Sequence, residues 1–144
     1  MRKLILVLAL PAVILAGCNT APSEAEQKAK LEAQVMAVHD SAMVEMDAIF
    51  KLRRNLRTLR DTLATQQTDS TALLQLQESI TGLSKADESM MNWMRHYSAP
   101  DTLQHQQAMQ YLQQELQKIE RVKTTMDSTV KAARQTYQQH EPQP

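Results

Sequence analysis

The chain is expected to be all-α, an elongated antiparallel three-helix bundle or coiled coil, and three observations predict it. Glycine is nearly absent: one of the two is Gly17, near the start, and only Gly82 falls in the body of the chain, where Ala, Leu, Gln, Lys and Glu predominate. Apolar residues recur at alternating steps of three and four, the spacing of one helix face buried against neighbours. Turn residues break that pattern at two places, Thr68-Asp69-Ser70 and Ser98-Ala99-Pro100-Asp101.

The first helix is expected over about 23–67. Ser23-Glu24-Ala25-Glu26 has the form of a capping box, in which serine and a glutamate three residues on satisfy free N–H groups reciprocally. Its seam reads Leu31, Val35, Val38, Ala42, Glu45, Ile49, Leu52, Leu56, Leu59 and Leu63. A second stripe beside it runs Met36, His39, Met43, Met46 and Phe50, then turns basic at Arg53, Arg57 and Arg60. The second helix is expected over about 70–97, with a seam of Leu73, Leu76, Ile80, Leu83, Asp87, Met90, Met94 and Tyr97; Pro100 disfavours helix in the residue before it. The third, over about 101–138, carries His105, Met109, Leu112, Leu116, Ile119, Lys123, Met126, Val130, Ala133 and Tyr137. Residues 140–144 are expected to be a disordered tail, so the helical domain covers 23–139.

Short connections leave no length for a crossover, so the helices should run up, down and up. The first would be roughly 65 Å long and the second about 40 Å, so the start of the first should project beyond the bundle. Each seam holds one charge, Glu45, Asp87 or Lys123, whose expected role is to fix register.

The opening residues read as an address. Arg2 and Lys3 precede the apolar run Leu4–Leu15, which is shorter than the roughly 20 residues a spanning helix needs and is interrupted by Pro11. The run ends Leu15-Ala16-Gly17-Cys18. This resembles the lipobox of bacterial lipoproteins. The resemblance implies a signal peptide over 1–17 that is removed, thioether attachment of diacylglycerol at Cys18, and an acylated amino terminus, with palmitate a usual acyl chain. More than one acyl chain makes anchoring stable, each buried methylene contributing about 0.8 kcal/mol. Residues 18–22 would be the lipidated tether. Asn19 after the cysteine favours the outer membrane by analogy with proteobacterial sorting. An ordinary secretory signal with a chance cysteine is the plainer alternative.

Cys18 is the only cysteine, so no intramolecular disulfide can form and, once lipidated, no thiol remains for catalysis. Without Arg2 and Lys3 the chain carries 14 basic against 16 acidic residues, a net charge of −2. No basic excess is present to hold nucleic acid. With one glycine in the body there is no phosphate-binding loop, and no HExxH or nucleophile–base motif occurs. Asp87, Glu88 and His96 could be drawn as an acid–base set, but solvated helix faces produce such groupings constantly. No catalytic residue is therefore expected, and the chain is read as no enzyme.

One cluster could carry chemistry. Seven of the eight methionines after Met1 fall in three stretches: Met36, Met43 and Met46; Met90, Met91 and Met94; and Met109. His39, His96 and His105 lie in or beside them. His39 and Met43, Met90 and Met94, and His105 and Met109 are each four apart and so share a helix face. With tight turns near Asp69 and Pro100, Met43 would lie level with about position 95 and Met94 with about 105, bringing all three stretches to one end of the bundle. Thioether and imidazole suit Cu(I). A Cu(I) site from His39, Met43, Met46, Met90, Met94, His105 and Met109 is one expectation, with Trp93 shielding the ion. The other is that methionine fills an irregular core and no cofactor is bound. A groove for a partner helix is a third.

The basic run Lys51, Arg53, Arg54, Arg57 and Arg60 is a solvated face or a contact for an acidic partner or anionic lipid. Arg53, Arg57, Arg60 and Trp93 are the candidate partner contacts. Taken together, VMAVHDSAMVEMDAIFKLRRNL, ADESMMNWMRHY and YLQQELQKIERVKTTMDSTVKAA resemble small helical lipoproteins of Bacteroidota, some labelled "viral A-type inclusion protein". That resemblance implies no particular activity. The leading expectation is a lipid-anchored structural or interaction module of the cell envelope. It would meet the membrane through its anchor, and a protein partner or a second copy through its surface. A soft-metal binder is the alternative.

Overall fold

The computed structural model describes residues 21–66 and 69–142. It is an all-helical three-helix bundle of α1 (Glu24–Thr65), α2 (Ser70–His96) and α3 (His105–His140), each helix packing on the other two. The expected signal peptide, the lipobox-like residues with Cys18 and the first part of the expected tether lie outside the described residues, as do 143 and 144.

Local chemistry starts the first two helices as expected. Ser23 Oγ accepts from the Glu26 N–H, and the Ser23 N–H donates to Glu26 Oε2 at 2.7 Å, closing the capping box. The Asp69 carboxylate accepts from the Thr71 N–H at 3.1 Å and caps α2. One continuous core follows from the seams: Val35, Ile49 and Leu56 of α1, Leu76, Leu83 and Met90 of α2, and Leu112, Ile119 and Met126 of α3 are all fully buried.

The connection from α2 to α3 departs from the expected tight turn. Asp101 has the right chemistry for an N-cap, but its carboxylate takes Lys28 Nζ of α1 at 3.2 Å instead. The chain is non-helical from 97 to 104, with Pro100 buried, and α3 begins at His105, not near 101. This longer link climbs along α1. Trp93 meets Glu115, and Tyr97 stacks near Tyr111, so Met94 is level with about residue 114 and not 105. As a second consequence, the start of α1 does not project beyond the bundle. Lys28 holds the link, and Leu31 shares a groove with Met109 of α3. At the other end α3 runs through His140, where Nε2 lies 2.8 Å from Gln75 Oε1 of α2; that hydrogen bond holds a residue expected to be frayed.

Candidate functional site

On the α1–α2 flank the methionine and histidine groups of these two helices fall at one level. The His39 ring packs on the Trp93 ring with centroids 5.5 Å apart, which sets the register of the two helices there. Met94, next to Trp93, is level with His39. Met43 is one turn along α1 and Met90 nearly one turn back along α2, so these two are also level. The result is two i,i+4 pairs side by side on antiparallel helices. Their exposure grades outward: Met90 is fully buried, Met43 is partly buried against the core, and Met94 is 38% exposed. Met46 is buried in the same core.

His105 and Met109 do not join them. Met109 lines a groove with Leu31 and Gln34, twelve residues before Met43 when counted from Leu31, or about 18 Å along the axis. His105 lies a further turn away. The displaced α2–α3 register is the cause, and it removes both residues from any site shared with Met43 and Met46.

His39 itself is well placed for a second role. Its Nδ1 is 2.9 Å from Asp40 Oδ1, and its side chain is only 15% exposed. A carboxylate accepts only, so Nδ1 carries the hydrogen, and in the neutral ring Nε2 keeps its lone pair.

The seam expected at the end of α2 is shifted by one residue. Ala86, Met90 and Trp93 are buried, while Asp87 and Met94 sit to one side. Trp93 buries more apolar area than Met94 would, and its indole finds an acceptor: Nε1–H donates to Glu115 Oε2 at 2.9 Å. Glu115 is the one buried charged residue among the described positions, at 4% exposure, and Lys118 Nζ donates to its other oxygen at 2.6 Å. Sequence reasoning missed Glu115. The signal was present, since Ala108, Leu112, Glu115 and Ile119 step by four, three and four, but a glutamate in that register reads as surface. Trp93 also stacks on Tyr97 at 4.9 Å, and the Tyr111 hydroxyl accepts from the Ser98 N–H at 3.0 Å. These contacts turn Trp93 inward, so it is no surface contact for a partner.

Two of the three arginines offered as partner contacts are used internally. Arg53 reaches across to Asp87 Oδ2 at 3.1 Å and covers the Phe50 ring at 5.1 Å. Arg60 donates to Gln77 Oε1 at 2.6 Å and pairs with Asp61. Arg57 is exposed. Of the seam charges, Asp87 thus joins α1 to α2, Lys123 pairs with Asp127 at 2.6 Å within α3, and Glu45 lines a depression beside them.

Burial pushes the Tyr97 phenol up to about 12, and the Glu32 carboxylate, 3.5 Å from its hydroxyl, adds to the shift. Among the described residues no group of three or more His, Cys, Asp or Glu is placed to hold a metal ion, and no helix is long and apolar enough to cross a membrane. No family model matches the chain, and no curated protein or solved structure is detectably similar to it.

Proposed function

We propose that this chain is a lipid-anchored, non-enzymatic protein of the bacterial cell envelope whose helical rod serves as a structural or protein-interaction module. The observation that carries the reading is Leu15-Ala16-Gly17-Cys18 after a basic n-region and a short apolar run, the one feature that specifies a covalent modification. Asn19 directs the proposal to the outer membrane. Glu24, the first residue of α1, follows Cys18 by only six positions, so an anchor there would hold the rod close to the lipid surface. A rod about 60 Å long would carry its far end well clear of the headgroups, which suits a spacer or a docking post.

The anchor is tested by feeding cells a labelled palmitate analogue and fractionating membranes. The wild-type chain should carry label and sediment with the outer membrane, and Cys18→Ser should do neither. Label on the serine variant, or an unlabelled wild-type chain free in the periplasm, would overturn the anchor. For the interaction role, a photo-crosslinking residue at Arg57, exposed on the basic stripe, should give a defined higher-mass adduct in intact cells. Monomer alone at Arg57 and at neighbouring exposed positions would remove the partner from the account.

A further inference from the structure

The α1–α2 flank brings two i,i+4 pairs of soft donors to one level. Met90 lies in the core and Met43 against it, while Met94 is 38% exposed and level with His39, whose Nδ1 lies 2.9 Å from the Asp40 carboxylate. We propose that His39, Met43, Met90 and Met94 form a binding site for one Cu(I) ion on the α1–α2 flank.

The chemistry follows from the arrangement. Thioether sulfur is soft and neutral at any pH, so three of the four donors need no deprotonation to bind a soft monovalent cation. Imidazole supplies the fourth through Nε2, the nitrogen left with a lone pair when Nδ1–H donates to Asp40 Oδ1 at 2.9 Å. That carboxylate–imidazole pair is the usual support of a metal-bound histidine: it holds the tautomer and strengthens the donor. The four residues come from two one-turn pairs at one level of α1 and α2. Met90 is fully buried and Met94 is 38% exposed, so the Met94 side is the one open to solvent. Trp93, packed on His39 with centroids 5.5 Å apart, screens one side from water. Hard cations such as Mg(II) and Ca(II), which require oxygen ligands, find none of their preferred donors in this quartet.

The full chain in detergent micelles is titrated anaerobically with Cu(I) held by a chromophoric competing chelator. The site predicts withdrawal of one equivalent of Cu(I) per chain, with Trp93 emission quenched in step. Met43→Leu with Met94→Leu should abolish the withdrawal while leaving helicity unchanged, since the swap conserves volume. Asp40→Asn, a change at an exposed position that spares the core, should weaken binding roughly tenfold or more. Met109→Leu, in the groove with Leu31 and Gln34 between α1 and α3, should bind as the wild type does. Failure of the wild-type chain to compete would overturn the site. So would undiminished binding by the Met43/Met94 variant, unchanged affinity in Asp40→Asn, or an equal loss in Met109→Leu.

Discussion

Trp93 and Glu115 form the most consequential pair of side chains in the molecule, because each makes the other's burial tolerable. A carboxylate at 4% exposure without partners would be costly, and here it accepts from an indole on one oxygen and a lysine on the other. Trp93→Phe keeps the ring and removes the donor, leaving Glu115 Oε2 short of one bond. It should destabilise the bundle by about 1–3 kcal/mol in urea unfolding, with the denaturant slope unchanged. A cost below about 0.5 kcal/mol, the range of ordinary surface substitutions, would mean that the bond seen at 2.9 Å contributes little. The pair also shows the limit of reading single residues. Tryptophan and methionine stood side by side at 93 and 94, both apolar, and spacing alone put methionine in the seam. The donor that decides the choice lies twenty-two residues away on another helix, where no local pattern reports it.

At the scale of the element, most of what holds the helices was legible. Ser23 and Glu26 announced the start of α1, Asp69 the start of α2, and the regular positions of Leu76, Leu83, Leu112 and Ile119 marked the buried faces. The link between α2 and α3 was not legible, and the reason is specific. The third helix was expected from about 101, yet it begins at His105, and Asp101 in the link pairs with Lys28, seventy-three residues earlier. A contact so remote in sequence leaves no local pattern. Helix α2 also offers a test of its own. Gly82 lies mid-helix, and a Cβ placed there would meet only the Thr129 methyl of α3 at 3.4 Å, an ordinary contact. Gly82→Ala should therefore raise stability by roughly 0.5–1 kcal/mol through lower unfolded-state entropy. A loss of stability would show that α2 and α3 pack more tightly than that distance indicates.

Across the whole molecule, the α2–α3 link sets which residues can cooperate. It carries α3 up along α1, places His105 and Met109 beside the first turns of α1, and leaves His39, Met43, Met90 and Met94 as the surviving cluster. The candidate site was thus half legible: the i,i+4 pairs on α1 and α2 could be read from spacing, whereas the third pair depended on a loop length that spacing misjudged. The same end of the rod holds Tyr97, and Tyr137 lies at the other end; both make stability fall in alkali. A phenol whose folded pKa lies above its unfolded value favours the folded state until pH exceeds the unfolded value of 10.0, and that contribution is lost as pH rises towards about 12. Tyr137, shifted upward by burial and by Glu141, acts in the same direction. The urea midpoint should consequently fall between pH 10 and 12, and Tyr97→Phe should flatten part of that fall. An identical pH profile in the variant would remove Tyr97 from the explanation.

The register of α3 against α1 can be measured directly by cysteine crosslinking in a Cys18→Ser background, which has no other cysteine. Gln34 and Gln113 line one groove. Cysteines at these two positions should be joined within one chain by a short bismaleimide. Asn55 also faces α3, beside Tyr137, but lies about 30 Å along the axis from Gln34. A tight α2–α3 turn would bring Asn55, not Gln34, level with Gln113. Efficient crosslinking of 34 to 113 with none of 55 to 113 is the predicted result; the reverse pattern would contradict the fold and bring His105 and Met109 back level with Met43 and Met94.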